Sequence, residues 1–268
     1  MAAAACTACQ QLPALLVALP LLAAFAGGPL RRLSRPLGAV LGPAVVALGL
    51  LLAARLALHV HAGGPLGVAI GGFPAPLGIV LRADLVSLVF VMLFQVLALL
   101  LWPRDSADPA REGTLTLVLV AAATGIALSG DLFNVYVFYE ILAVAYGAAL
   151  RYLLLGAVGS ALALLGIALI YATAGSLNLE HIAATSGDAL ASPVGLAAFV
   201  LILVGFGVKA ELFPLNTWVP EVYTAATARV AGLLAGGVSK LALLAVLHIL
   251  TALYAGTSAG LVLLVRPG

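Results

Sequence analysis

Charge is what this sequence has least of. Only 8% of its 268 residues are Asp, Glu, Lys or Arg, where a soluble domain carries about a quarter, and that excludes an ordinary water-soluble fold. Twelve Lys and Arg against ten Asp and Glu leave a formal net charge of +2, which provides no basic face for a nucleic acid. Cysteine is as scarce. The two present, Cys6 and Cys9, exclude a disulfide scaffold, and their single C-x-x-C has neither a second pair nor a nearby histidine to complete a four-ligand metal site. A cleaved leader is also not indicated. No basic residue precedes the first apolar run, whereas Arg31, Arg32 and Arg35 follow it, the pattern of an uncleaved first span.

What fills the chain instead is apolar: 64% hydrophobic residues and a mean hydropathy of +1.24. A helix needs about 20 apolar residues to cross a bilayer, while barrel strands alternate over about ten. The runs here are long and do not alternate, which predicts an all-α, polytopic transmembrane helix bundle. About eight spans are expected, at residues 12–28, 37–60, 84–102, 114–130, 132–150, 152–173, 193–213 and 226–253. Residues 114–150 exceed one crossing, and Ser129-Gly130-Asp131 supplies the turn that divides them. Residues 61–82, rich in Gly and Pro, are expected to form an ordered, extended outer loop, and residues 103–112 a solvated inner one.

Positive charge is retained on the cytoplasmic side, so the arginines report direction. With the N-terminus outside, the inner loops hold Arg31, Arg32, Arg35, Arg104, Arg111, Arg151 and Arg229, and the outer loops only Arg82. The outer loop after the sixth span carries Glu180, His181 and Asp188 with no Lys or Arg. Arg55, close to the outer end of the second span, is read as reaching the headgroups. The expected location is the cell membrane.

An ionisable side chain at membrane depth is costly and marks a functional candidate. Glu140 falls near the middle of the fifth span, on a face with Phe133, Tyr136, Ala143, Val144 and Gly147. Its alternative is a carboxylate bonded only for packing. Lys240 follows Gly236-Gly237 and also falls near mid-membrane, where a lysine can pass protons along. His248 lies eight residues on, about 12 Å along the same helix, as a relay member or as a structural histidine. Lys209 precedes Pro214 and Pro220, and proline frees a carbonyl one turn earlier. A broken helix beside a lysine has the character of a transporter site; the other reading ends the helix at Phe213 with Lys209 and Glu211 at the inner interface. Two lysines and a glutamate at separate depths suggest a proton path more than a pocket for an organic substrate. No Gly-rich phosphate loop, G-x-S-x-G, H-E-x-x-H or haem-spaced histidine pair is present.

The string GDLFNVYVFYE at residues 130–140 resembles the fifth-span signature of the antiporter-like subunits shared by Mrp-type cation/proton antiporters, respiratory complex I and membrane-bound hydrogenases. GGFPAPLGIVLRADLVS at 71–87 is similar to the loop before the third span of the Mrp D subunit. YATAGSLNLEHIA at 171–183 resembles the end of the sixth span. VKAELFPLNTWVPEVYTAA at 208–226, followed by GGVSK, resembles the broken seventh span and the eighth.

The resemblance implies that Glu140, Lys209 and Lys240 match the family's fifth-, seventh- and eighth-span charged residues. It also implies that the glutamate modulates the proton affinity of its lysine and that protons pass between the two lysines through water-filled space. Asn216 stands where the family often has histidine, and Thr227 where it has proline.

Read this way, the chain is expected to be a proton-translocating subunit of a larger ion-pumping complex, with sodium exchange left open, no cofactor or redox centre of its own, and other membrane subunits as partners. The alternative is a non-conducting structural subunit. Residues 1–113 form three spans with their loops and 114–253 a five-span half-channel repeat. Residues 254–268 are expected to be the truncated start of a ninth span, and the chain alone is expected not to transport.

Overall fold

Apolar runs of this length become helices because hydrocarbon offers no water to a free N–H or C=O, and only a helix satisfies both within one segment. The computed structural model describes residues 7–73, 76–144 and 150–253. Cys6, Gly147, the side chain of Arg151 and residues 254–268, where a ninth span was expected to start, lie outside the described residues.

The first six predicted spans each overlap a helix: α1 Thr7–Leu33, α2 Arg35–Gly63, α3 Leu85–Leu100, α4 Pro109–Leu128, α5 Leu132–Val144 and α6 Leu150–Ala174. The short α7 Leu179–Thr185 and α8 Gly187–Ala191 precede α9 Pro193–Lys209, and α10 Val219–Ala225, α11 Ala228–Leu233 and α12 Ser239–Leu253 complete the described chain. Among the described residues five helical segments have the length and apolar composition to cross a bilayer, the last being Ala228–Leu253, which runs from α11 through α12, and α3, α5 and α9 are apolar but shorter.

Side-chain caps set several boundaries. Asp84, Asp108, Asn178, Ser192 and Thr227 each accept a bond from the backbone N–H three residues on, at the starts of α3, α4, α7, α9 and α11. These oxygens satisfy N–H groups that the first helical turn leaves unpaired.

α4 runs through the centre. Every residue from 119 to 128, in the small-residue stretch LVAAATGIAL, is buried, and α1, α2, α3, α5 and α12 pack around it. Large apolar side chains such as Leu22, Phe25, Leu51 and Leu58 point outward from α1 and α2, as a lipid-facing surface requires.

The expected outer loop is an antiparallel hairpin, β1 Leu66–Ala69 with β2 Val80–Ala83, in the register Leu66 to Ala83. Its far edge is not left open. Gly130 N donates to Val80 O at 2.9 Å, and Leu179 N donates to Gly130 O at 3.0 Å. The α4–α5 turn is thereby stitched to the hairpin on one side and to the start of α7 on the other. Asn134 Nδ2 donates to Ser129 Oγ at 2.8 Å inside this seam, and Asp131 Oδ1 accepts from Asn134 N at 3.0 Å. Burial pushes the Asp131 carboxyl above its ordinary range, against the pull of the backbone N–H groups of Asn134 and Phe133.

Two segments depart from the expected outline. The seventh helix breaks at Lys209, earlier than Pro214. Glu211 takes a positive φ of 59° and the chain turns through a cis Phe213–Pro214 bond before α10, so the proline lies within the turn. The eighth predicted span is interrupted by a π-helical turn at Leu234–Val238, where Gly237 lets the Phe94 ring of α3 approach so closely that a Cβ would lie 2.3 Å from it.

Candidate functional site

Helices in lipid gain nothing from hiding apolar surface, so close association depends on small residues that let backbones meet. α6 and α9 meet in this way. A Cβ on Gly205 would stand 2.5 Å from Gly159 O, and one on Gly166 would stand 2.7 Å from Ala198 O. This contact places Ser160, next to Gly159, across from the end of α9, where Lys209 is the last helical residue.

Glu140 of α5 enters the same space. Lys209 Nζ donates to Glu140 Oε1 at 2.6 Å, and Ser160 Oγ donates to the same oxygen at 2.5 Å. Three helices therefore converge on one carboxylate. The lysine side chain is only 5% exposed and the glutamate 39%, so the ammonium is the deeper group and depends on its partner. Lys209 Nζ also sits 5.5 Å from the centre of the Tyr139 ring, which stacks on Phe206 at 4.7 Å. The aromatic pair forms an apolar wall beside the ion pair, and a ring face attracts a cation.

The backbone freed by the break at Lys209 finds partners. Trp218, buried after the turn, donates its indole N–H to Val208 O at 3.0 Å, and Leu212 N donates to Gly207 O at 3.0 Å. The last turn of α9 is thus held closed next to the lysine. On α10, Tyr223 donates to Glu211 Oε1 at 2.7 Å. Burial, then this bond and the carboxylate's charge, push the Tyr223 phenol well above its ordinary value.

The other two candidates lie elsewhere. Lys240, just after the π turn, is exposed, and among the described residues it has no ion pair or hydrogen bond. His248 is half-buried and lines a cavity of about 270 Å³ beneath the hairpin, together with Arg82, Asp84 and Glu180. Of the four proton-path candidates, the structure joins Glu140 to Lys209 and leaves Lys240 and His248 apart from them.

Ser160, Tyr139, Phe206 and Trp218 were not singled out in the sequence. Ser160 had a signal in the small-residue stripe Gly156, Gly159, Ser160. The indole bond of Trp218 had none, since it depends on how the chain turns.

An apolar helical bundle holding a buried lysine paired with a half-buried glutamate is the arrangement of a polytopic membrane protein with a charged centre inside it. Residues 125–265 match the family model described as NADH:quinone oxidoreductase/Mrp antiporter, transmembrane, and the chain belongs to that family. It is 36% identical to NADH-quinone oxidoreductase subunit N of Desulforudis audaxviator (strain MP104C), over 89% of this chain and 52% of that protein. It is 30% identical to the D subunit of the Na(+)/H(+) antiporter of Bacillus subtilis (strain 168), over 80% of this chain and 48% of that protein. Among solved structures, a chain of the membrane-bound sulfane sulfur reductase, an archaeal respiratory membrane complex, superposes with a TM-score of 0.86 at 32% identity, covering 94% of this chain and 55% of the other. The chain spans about half the length of the curated relatives it matches.

Proposed function

We propose that the chain is a proton-translocating membrane subunit of a larger ion-pumping complex, with exchange of protons for sodium as the more specific form of that activity. The observation that carries this reading is the ion pair between Lys209 and Glu140 inside an otherwise apolar bundle. An ammonium there is held by one carboxylate, and the separation of the two groups sets how firmly the lysine keeps its proton. Glu140 is the modulating group, Lys209 the carrier beside it, and Lys240 the next proton-accepting group, facing a partner or a hydrated path.

The names of the relatives support the reading, since they are subunits of an antiporter and of a quinone oxidoreductase. The partners we propose are correspondingly the other membrane subunits of such an assembly.

We further propose eight crossings of the cell membrane with the N-terminus outside. Supporting this, ion pairs join segments assigned to the same side. Arg82 pairs with Glu180 at the outer end, and Arg229 Nη1 lies 2.8 Å from Glu112 Oε2 at the inner end. Residues 1–113 then serve as a flanking three-helix unit and 114–253 as the half-channel.

The test is transport in vesicles carrying the assembled complex. Replacing Glu140 or Lys240 with Ala is expected to lower proton movement by about 100-fold, the scale on which a positioned proton-transfer group acts, while assembly is retained. Undiminished transport by both variants would refute the proposal.

A further inference from the structure

The cavity beneath the hairpin takes no part in the Glu140–Lys209 centre, and its walls come from five directions. β2 contributes Arg82, the start of α3 contributes Asp84 and Ser87, and α7 with its cap contributes Asn178 and Glu180. α12 contributes His248 and Thr251, and the end of α4 with its turn contributes Ala127, Ser129 and Gly130, which carry no charge. The charges facing the histidine are therefore one guanidinium and two carboxylates, with none from α4.

Exposure falls from the rim inward. The side chains of Glu180 and Arg82, which pair with each other, are 64% and 41% exposed and that of Asp84 25%, whereas Ser87 at the inner wall is 1% exposed. The Ser87 hydroxyl nevertheless has no hydrogen-bond partner among the described residues. A buried hydroxyl left unpaired costs about 1–3 kcal/mol, and buried polar atoms are nearly always satisfied by protein or by ordered water. A cavity of about 270 Å³ with Arg82, Asp84, Asn178 and Glu180 in its wall has room for several waters, which would supply that partner.

We propose that this cavity is an aqueous vestibule on the outer side that carries protons between bulk water and His248, with the Arg82–Glu180 ion pair as its rim. A hydronium entering past the two carboxylates gives a proton to an imidazole nitrogen, breaking an O–H bond and forming an N–H bond. The reverse transfer returns it to the same water, so nothing else is consumed. Lys240 lies two turns away on α12, which makes His248 the outermost titratable group of that helix. The vestibule is a separate feature from the proposed Glu140–Lys209 centre and would exist if that centre conducted nothing.

The experiment uses the full chain in sealed membrane vesicles, with sidedness fixed by a Cys introduced at Asp188 and labelled by a membrane-impermeant thiol reagent. Diethyl pyrocarbonate modifies only the neutral imidazole, and the reaction at His248 is obtained by difference from His248→Gln. The rate is expected to rise about tenfold as the outer pH goes from about 5 to about 8 with the lumen buffered, the range over which histidine titrates, and not to respond when only the lumenal pH is changed. In a second measurement, Thr251→Cys, which lines the same cavity, is expected to react with the impermeant reagent from outside, and faster when Arg82→Ala removes the rim. A His248 rate that follows lumenal pH or neither pH, or a Thr251→Cys thiol closed to the outer reagent while the Asp188 control reacts, overturns the proposal. Neither readout depends on transport, so failure here is distinct from failure of the proposed function.

Discussion

Lys209 and Lys240 carry the same side chain on helices that touch, yet their surroundings are opposite. Lys209 ends a helix, is nearly fully buried, and is held by a carboxylate that a serine also binds. Lys240 begins a helix after a π turn and is exposed, with no hydrogen bond or ion pair among the described residues. A charge buried within one chain must find its partner in that chain. A charge on the flank can leave its partner to water or to another subunit. The comparison separates a charged group whose environment is complete within this bundle from one whose environment is not.

The sharpest way to break the comparison is to remove the carboxylate. Glu140→Ala leaves the Lys209 ammonium buried and unpaired, a situation that costs about 3 kcal/mol or more. Lys240→Ala should stay within about 0.5 kcal/mol, as for an exposed site with no partner. Denaturation midpoints of the two variants in detergent measure the difference, and equal losses would remove the distinction between the two lysines.

A smaller effect is expected from the packing that brings α9 to Ser160. Gly205→Leu forces side-chain atoms into a space where even a Cβ would lie 2.5 Å from Gly159 O, and overpacking of this kind costs about 1–3 kcal/mol. Gly236→Leu near Lys240 meets only the flexible end of Leu97, at 3.0 Å, and should cost less. Within the Lys209 site the smallest effect is Ser160→Ala, which removes one bond to Glu140 while the lysine remains, and about 1 kcal/mol is expected. If Ser160→Ala were as damaging as Glu140→Ala, the hydroxyl and not the lysine would be the principal partner of the carboxylate.

The helices were legible because a bilayer leaves few alternatives: a run of about 20 apolar residues has to satisfy its own backbone. Glu140 and Lys209 stood out for the same reason, since a charge in such a run is rare. The hairpin was legible only as an ordered, extended loop. Its pairing with the α4–α5 turn depends on segments about 50 residues apart in sequence, and α7 and α8, too short for a clear apolar period, were missed. The break after Lys209 was placed too late because Pro214 is visible in the sequence and the positive φ of Glu211 is not.

The sequence by itself determined how far along its apolar run Glu140 or Lys240 stands, because that follows from counting residues along a helix at 1.5 Å each, while for Lys209 it left two positions open. It did not determine which way each group faces. Azimuth accumulates about 100° per residue, so a single π turn such as Leu234–Val238 redirects everything after it. Nor could the sequence say that Glu140 and Lys209, 69 positions apart, share a hydrogen bond, or that Arg82, Asp84, Glu180 and His248 enclose one cavity. Those pairings depend on how closely α6 approaches α9 and on where the hairpin closes over α12, and both are set by contacts between helices that residue spacing along one helix does not encode.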